Sequence, residues 1–179
     1  MKIKHTNPLW MMVLAMVILW SCSEQEVTER PIQDSPELMT REAIDNFIIQ
    51  SLQETDSFSW QQASDRMIWS ALLLSDSLAT VGYKPASDTR SVIPTATIDI
   101  RETPWSGARE MVIDEAVEIA GSQQGANFRV ANMEIKEHEV LPFVEFKVIT
   151  IETVRQLRQM PEVRYVEPLG YEVNFSRSE

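Results

Sequence analysis

The stretch L-P-F-V-E-F-K-V-I-T-I-E-T-V-R-Q-L-R-Q-M-P-E-V-R-Y-V-E-P, from Leu141 to Pro168, decides the fold. Its first part alternates. Val144, Phe146 and Val148 fall on one side of an extended chain, while Phe143, Glu145 and Lys147 fall on the other, because successive side chains of a strand point to opposite faces. The wholly apolar side is the core side. The period then changes. Thr150 offers a hydroxyl cap to a helix over Ile151 to Gln159, where Ile151, Val154 and Leu157 recur at helical spacing. Pro161 ends that helix. Val163 to Glu167 reads as a second strand, broken by Pro168-Leu169-Gly170, with Val163 and Tyr165 expected against the helices. Val166 is expected on the opposite face, where a partner surface could cover it.

Upstream, Val130 to Lys136 reads as a further strand, joined to Phe143–Ile149 through Glu137 to Pro142. Before it, Thr103-Pro104 resembles a helix start, a hydroxyl cap followed by proline in the first turn. Trp105, Ala108, Val112, Ala116 and Ile119 then step along one face, and Gly121 is expected to stop the helix. Leu78 to Tyr83 is a short strand closed by Lys84-Pro85. Between them residues 86–103 are irregular, with a strand expected over Ala96 to Ile100 from its alternation. The order is strand, helix, strand, strand, helix, strand. This predicts an α+β, ferredoxin-like (split βαβ) domain over residues 76–168, an antiparallel sheet with two helices on one face. A helix pair over 39–75 precedes it. One helix spans Thr40 to Gln53 with Ala43, Ile44, Phe47, Ile48 and Leu52 inward; the other spans Ser59 to Leu73 with Trp60, Ala63, Met67, Ala71 and Leu72 inward.

The amino terminus belongs to no fold. Lys2 and Lys4 make a basic start, and Leu9 to Trp20 is an apolar run of 12 residues, short of the roughly 20 that span a bilayer. Residues 1–21 therefore read as an export signal. The run ends in Leu19-Trp20-Ser21-Cys22, which resembles a lipobox; Trp20, bulky for its place, is the one departure. That resemblance implies lipid attachment to Cys22 and cleavage on its amino side, the alternative being an ordinary signal with an incidental cysteine. Cys22 is the sole cysteine, so it has no internal disulfide partner. Residues 22–38 are a polar tether holding Pro31 and Pro36, and the acidic start Ser23-Glu24-Gln25-Glu26 resembles surface-exported lipoproteins of the Bacteroidota. The expectation is an exported, membrane-anchored lipoprotein of the outer membrane or cell surface, with the bilayer engaged through acylated Cys22. With Lys2 and Lys4 gone from the 16 basic residues, 14 face 27 acidic ones, a net charge of −13. That balance disfavours nucleic acid as a partner.

The segment Leu141 to Val148, the helix from Thr150 to Leu157, and Met160-Pro161-Glu162-Val163-Arg164-Tyr165-Val166-Glu167-Pro168 together resemble the end of a subtilisin-type propeptide. The likeness extends over about 130–168 and more loosely over 78–125. The helices before it, with Arg66-Met67-Ile68-Trp69-Ser70-Ala71, resemble the amino-terminal extension of lipoprotein subtilases of the Bacteroidota. The resemblance implies an intramolecular chaperone and inhibitor, whose partner is a subtilisin-like serine protease acting in cis or in trans. It implies that the sheet packs on the protease and that the segment after the last strand lies in the active-site cleft. That segment is the tail 169–179, rooted at Pro168 and running through Leu169, Gly170, Tyr171, Glu172, Val173, Asn174 and Phe175. It is polar enough to be disordered by itself. An extended chain in a cleft bonds as an added strand does. Glu137 and Glu139 are candidates for contact with helix N-termini of the protease, where the dipole favours acids.

No catalytic constellation is expected. The aspartate, histidine and serine motifs of a subtilase are missing, so the chain reads as a stand-alone inhibitor or a protease precursor that stops early, and not as an enzyme. Its histidines are His5, in the signal, and His138. Glu137-His138-Glu139 suggests a metal site, yet neighbours on a strand face opposite ways; a solvated turn is the expected reading, and no cofactor is expected. The competing class is a surface lipoprotein binding module with no protease link, which needs no free tail.

Overall fold

The computed structural model of the protein describes residues 37–90 and 98–175. The export signal, Cys22, the tether as far as Pro36, Ala96 and Thr97, and residues 176–179 lie outside the described residues.

Helix α1 (Arg41–Thr55) opens the fold, with the Thr40 hydroxyl accepting from the Ala43 N–H at 3.2 Å. Its inward face buries Ile44 and Ile48, and also Asp45. Phe47, expected inward, is exposed and meets the edge of the Phe58 ring instead. The helix expected over Ser59–Leu73 is two pieces: a 3-10 turn at Trp60–Gln62 and helix α2 (Asp65–Leu74). The cause is a second hydroxyl cap. Ser59 caps the turn, and Ser64, in extended backbone, accepts from the Met67 N–H and starts a new helix.

Strand β1 (Leu78–Tyr83) follows as expected. Ile98 and Asp99 are not strand, and Ile100 is buried in a turn. Helix α3 (Thr103–Gln124) begins at Thr103 itself, the expected cap, so Glu102 holds the cap position without a side-chain bond. It also runs past Gly121. The helix ends only at Gly125, whose φ of 56° suits glycine. Gly121 faces the Phe128 ring, where a Cβ would make an ordinary contact at 3.4 Å. Trp105, Ala108, Val112, Ala116 and Ile119 are all buried, as their stripe predicts.

The strand expected over Val130–Lys136 is largely absent. Val130–Met133 is a 3-10 turn that buries Met133, and Glu134 at φ 51° turns the chain before a two-residue strand, β2 (Lys136–Glu137). Strand β3 (Phe143–Lys147), helix α4 (Ile151–Gln159) and strand β4 (Val163–Pro168) complete the order. Thr150 caps α4 through the Thr153 N–H at 3.3 Å. Ile151, expected inward, is half-buried; Thr153, Val154 and Leu157 are the buried residues.

The protein is thus α+β, with a four-stranded sheet in the order β2-β3-β1-β4 and every neighbouring pair antiparallel. Val81 lies opposite Val144 on one side and Val166 on the other, and Ala79 lies opposite Phe146 and Pro168. These residues join Tyr83, Val112, Val154, Leu157, Ile44, Ile68 and Leu72 in one core. Each large apolar side chain buried there contributes about 1.5–3 kcal/mol. One expectation is reversed: Val166 faces the core at 2% exposure, and Tyr165 faces away. The small side chain fits beneath the helices beside Val81. Val163 still packs on the core, because the register shifts between Gly82 and Tyr83.

Candidate functional site

The face of the sheet turned from the core is built by strand alternation. It carries Leu78 and Thr80 from β1, Phe143, Glu145 and Lys147 from β3, and Tyr165 and Glu167 from β4, all half-buried. Gly82 lies between Phe143 and Tyr165, and Thr80 between Glu145 and Glu167. The face therefore has an apolar row and an acidic row. The Tyr165 ring lies over the bare Cα of Gly82, where any Cβ would fall inside the ring. Burial holds the Glu167 carboxyl above the usual carboxylate range. Burial also raises the Tyr165 phenol; the Glu167 charge adds to this and Arg164 opposes it. Lys147 reaches Glu134 at 3.5 Å, so its charge is answered within the domain.

The hairpin between β2 and β3 borders this face. Here His138 is structural: its Nδ1 accepts from the Val140 and Leu141 N–H groups at 3.2 and 2.8 Å, and its ring lies on Phe143 at 4.5 Å. Glu137 is bound to Arg109 of α3 at 3.1 Å, whereas Glu139 is exposed. Among the described residues no group of three or more His, Cys, Asp or Glu side chains is arranged to hold a metal ion.

The tail leaves the sheet at Pro168, which is buried opposite Ala79. The Leu169 N–H donates to the Leu78 carbonyl at 2.8 Å, and Gly170, at φ 78°, then turns the chain. Contrary to the expectation of disorder, Tyr171 to Asn174 lie on α1 with specific partners. The Tyr171 hydroxyl donates to Asp45 Oδ1 at 2.9 Å, and the Asn174 N–H donates to Asp45 Oδ2 at 3.3 Å. The Arg41 guanidinium stands 5.0 Å from the Tyr171 ring centroid and donates to the carbonyls of Glu172 and Leu74, each at 3.1 Å. Trp60 meets the same ring edge-on at 5.6 Å. Val173 packs on the core, and Phe175 is exposed. Burial, followed by the bond to Asp45, pushes the Tyr171 phenol up to about 12.

Sequence reasoning missed Arg41 and Asp45. Asp45 carried the detectable signal: it adjoins Ile44 on the inward edge of an amphipathic helix, and a carboxylate 6% exposed needs donors. No helix among the described residues is long and apolar enough to cross a membrane. Chemically, the open face and the tail offer shape, apolar rings, acids and backbone bonding groups, a set suited to protein recognition. No protein-family model, curated protein or solved structure matches the chain.

Proposed function

We propose that this chain is a lipid-anchored domain of the subtilisin-propeptide type, a folding chaperone or inhibitor of a subtilase serine protease, carried on acylated Cys22 outside the cell. The observation that supports it best is the open sheet face with the tail rooted beside it at Pro168. Two further points agree. The order strand-helix-strand-strand-helix-strand, with antiparallel sheet order β2-β3-β1-β4, supports a ferredoxin-like reading of the fold. The acidic row would also suit helix N-termini on a partner, since Glu145 and a half-buried Glu167 need N–H donors once covered. Glu137 and Glu139 would border that contact.

The test is inhibition of a broad-specificity subtilisin by the chain from Ser23 to Glu179, beside a version ending at Pro168. Slow-onset inhibition lost with the tail is the expected result. No inhibition by a folded domain up to about 100 μM, a binding free energy near −5.5 kcal/mol, would sink the reading for proteases of that breadth. The docked tail gives a second reading its support: a surface lipoprotein binding module, in which Tyr171 to Asn174 serve only to complete α1. The anchor has its own test. Cys22→Ser should abolish incorporation of labelled fatty acid; undiminished labelling would exclude Cys22 as its site.

A further inference from the structure

The tail dock consists of groups that function only together. Asp45 is buried in the face of α1, and among the described residues its side chain accepts two hydrogen bonds, both from the tail: the Tyr171 hydroxyl at 2.9 Å and the Asn174 N–H at 3.3 Å. Arg41 ties the end of α2 to the Glu172 carbonyl and covers the Tyr171 ring. The segment it holds has no helix or strand of its own, and it hangs from Gly170 in left-handed backbone. These polar groups would return to water if the tail left, while Tyr171 and Val173, which pack against the core, would give up apolar contact. The backbone bonds of Glu172 and Asn174 on α1 use groups that an extended chain in a cleft would also need.

We propose that α1, Arg41 and Trp60 form a built-in peptide site for Tyr171–Asn174, and that the tail occupies either this site or a partner protein, never both. The dock regulates how much tail is free to engage. This consequence rests on the propeptide reading; the dock itself does not.

The test follows amide hydrogen exchange at Asn174, whose N–H is bonded to Asp45, in the chain from Ser23 to Glu179, with β1 amides as the fold control. Tyr171→Phe removes one hydroxyl from a half-exposed ring, and Asp45→Asn removes the charge that receives it. The expected result is exchange at least tenfold faster at Asn174 in both variants, with β1 unchanged. Equal exchange in wild type and Tyr171→Phe would overturn the dock, whatever any protease assay gives. Onset of subtilisin inhibition is the second readout. Onset several-fold faster in the freed variants supports exclusive occupancy, since only the undocked fraction can bind. Equal onset despite a freed tail overturns that exclusivity. Faster exchange with no inhibition by any form keeps the dock and removes the propeptide reading.

Discussion

Gly82 and Tyr165 form a single unit. The ring occupies the space a side chain at Gly82 would need, an aromatic covering a strand glycine across the pair. Gly82→Ala must displace the ring or the strand, at a cost of about 1–3 kcal/mol in urea unfolding. Adding Tyr165→Ala clears the space, so the double variant should recover much of the loss, and the two effects should fail to add. Simple additivity would mean that the ring does not lie on Gly82. Tyr83 is the opposite case. Its hydroxyl is buried without a hydrogen-bond partner among the described residues, as is Arg109 Nε. An unpaired buried hydroxyl costs about 1–3 kcal/mol, so Tyr83→Phe should leave stability unchanged or raise it. A clear loss of stability in thermal melts would mean that the hydroxyl is bonded after all.

The elements are joined by a few polar ties whose worth can be measured. Arg158 of α4 reaches Asp65 in the first turn of α2 and donates to the Gln61 carbonyl at 3.0 Å. Gln61 in turn donates to the Arg164 carbonyl of β4 at 2.8 Å. Both charged partners are partly exposed, so an Arg158→Met, Asp65→Asn double-mutant cycle should give a coupling of about 1 kcal/mol. A coupling near zero would leave the shared apolar core, to which Met67 and Leu157 both belong, as what joins the helix pair to α4. Elements with strong local signals were legible in the sequence. The α3 stripe is continuous over five positions, β3 alternates cleanly, and α4 has Thr150 and Pro161 at its ends. What was not legible depends on partners far along the chain. Val130–Lys136 alternates like a strand, but only Lys136 and Glu137 find β3, and Met133 turns into the core. Tyr165 and Val166 have equal claims to the core by pattern alone, and the register against Val81 and Gly82 decides between them. The open face followed once the β3 alternation was read; the dock at Arg41 and Asp45 did not, since nothing local joins residue 45 to residue 174.

At the scale of the molecule, alkaline pH puts burial and charge in competition. The protein has three tyrosines, Tyr83, Tyr165 and Tyr171, and all three are held above their ordinary value, chiefly by burial. A phenol raised in the folded state adds stability that is complete below the unfolded value near 10. As pH rises past that value, the unfolded chain gives up protons the native chain keeps, and stability falls until the native groups ionise, for Tyr171 at about 12. Absorbance at 295 nm should therefore rise later in the native chain than in the same chain in urea. Overlapping curves would mean that the rings are not buried. Net charge complicates the stability reading, because residues 22–179 carry −13 at neutrality, and every lost proton adds self-repulsion. Salt separates the two contributions. Raising ionic strength from 0.1 to 1 M shortens the screening length from about 10 to 3 Å, which should weaken the charge contribution while leaving desolvation of the phenols in place. A fall in stability above pH 10 that persists in 1 M salt and lessens in Tyr171→Phe belongs to the buried hydroxyls. One that disappears in salt belongs to the charge of the whole chain.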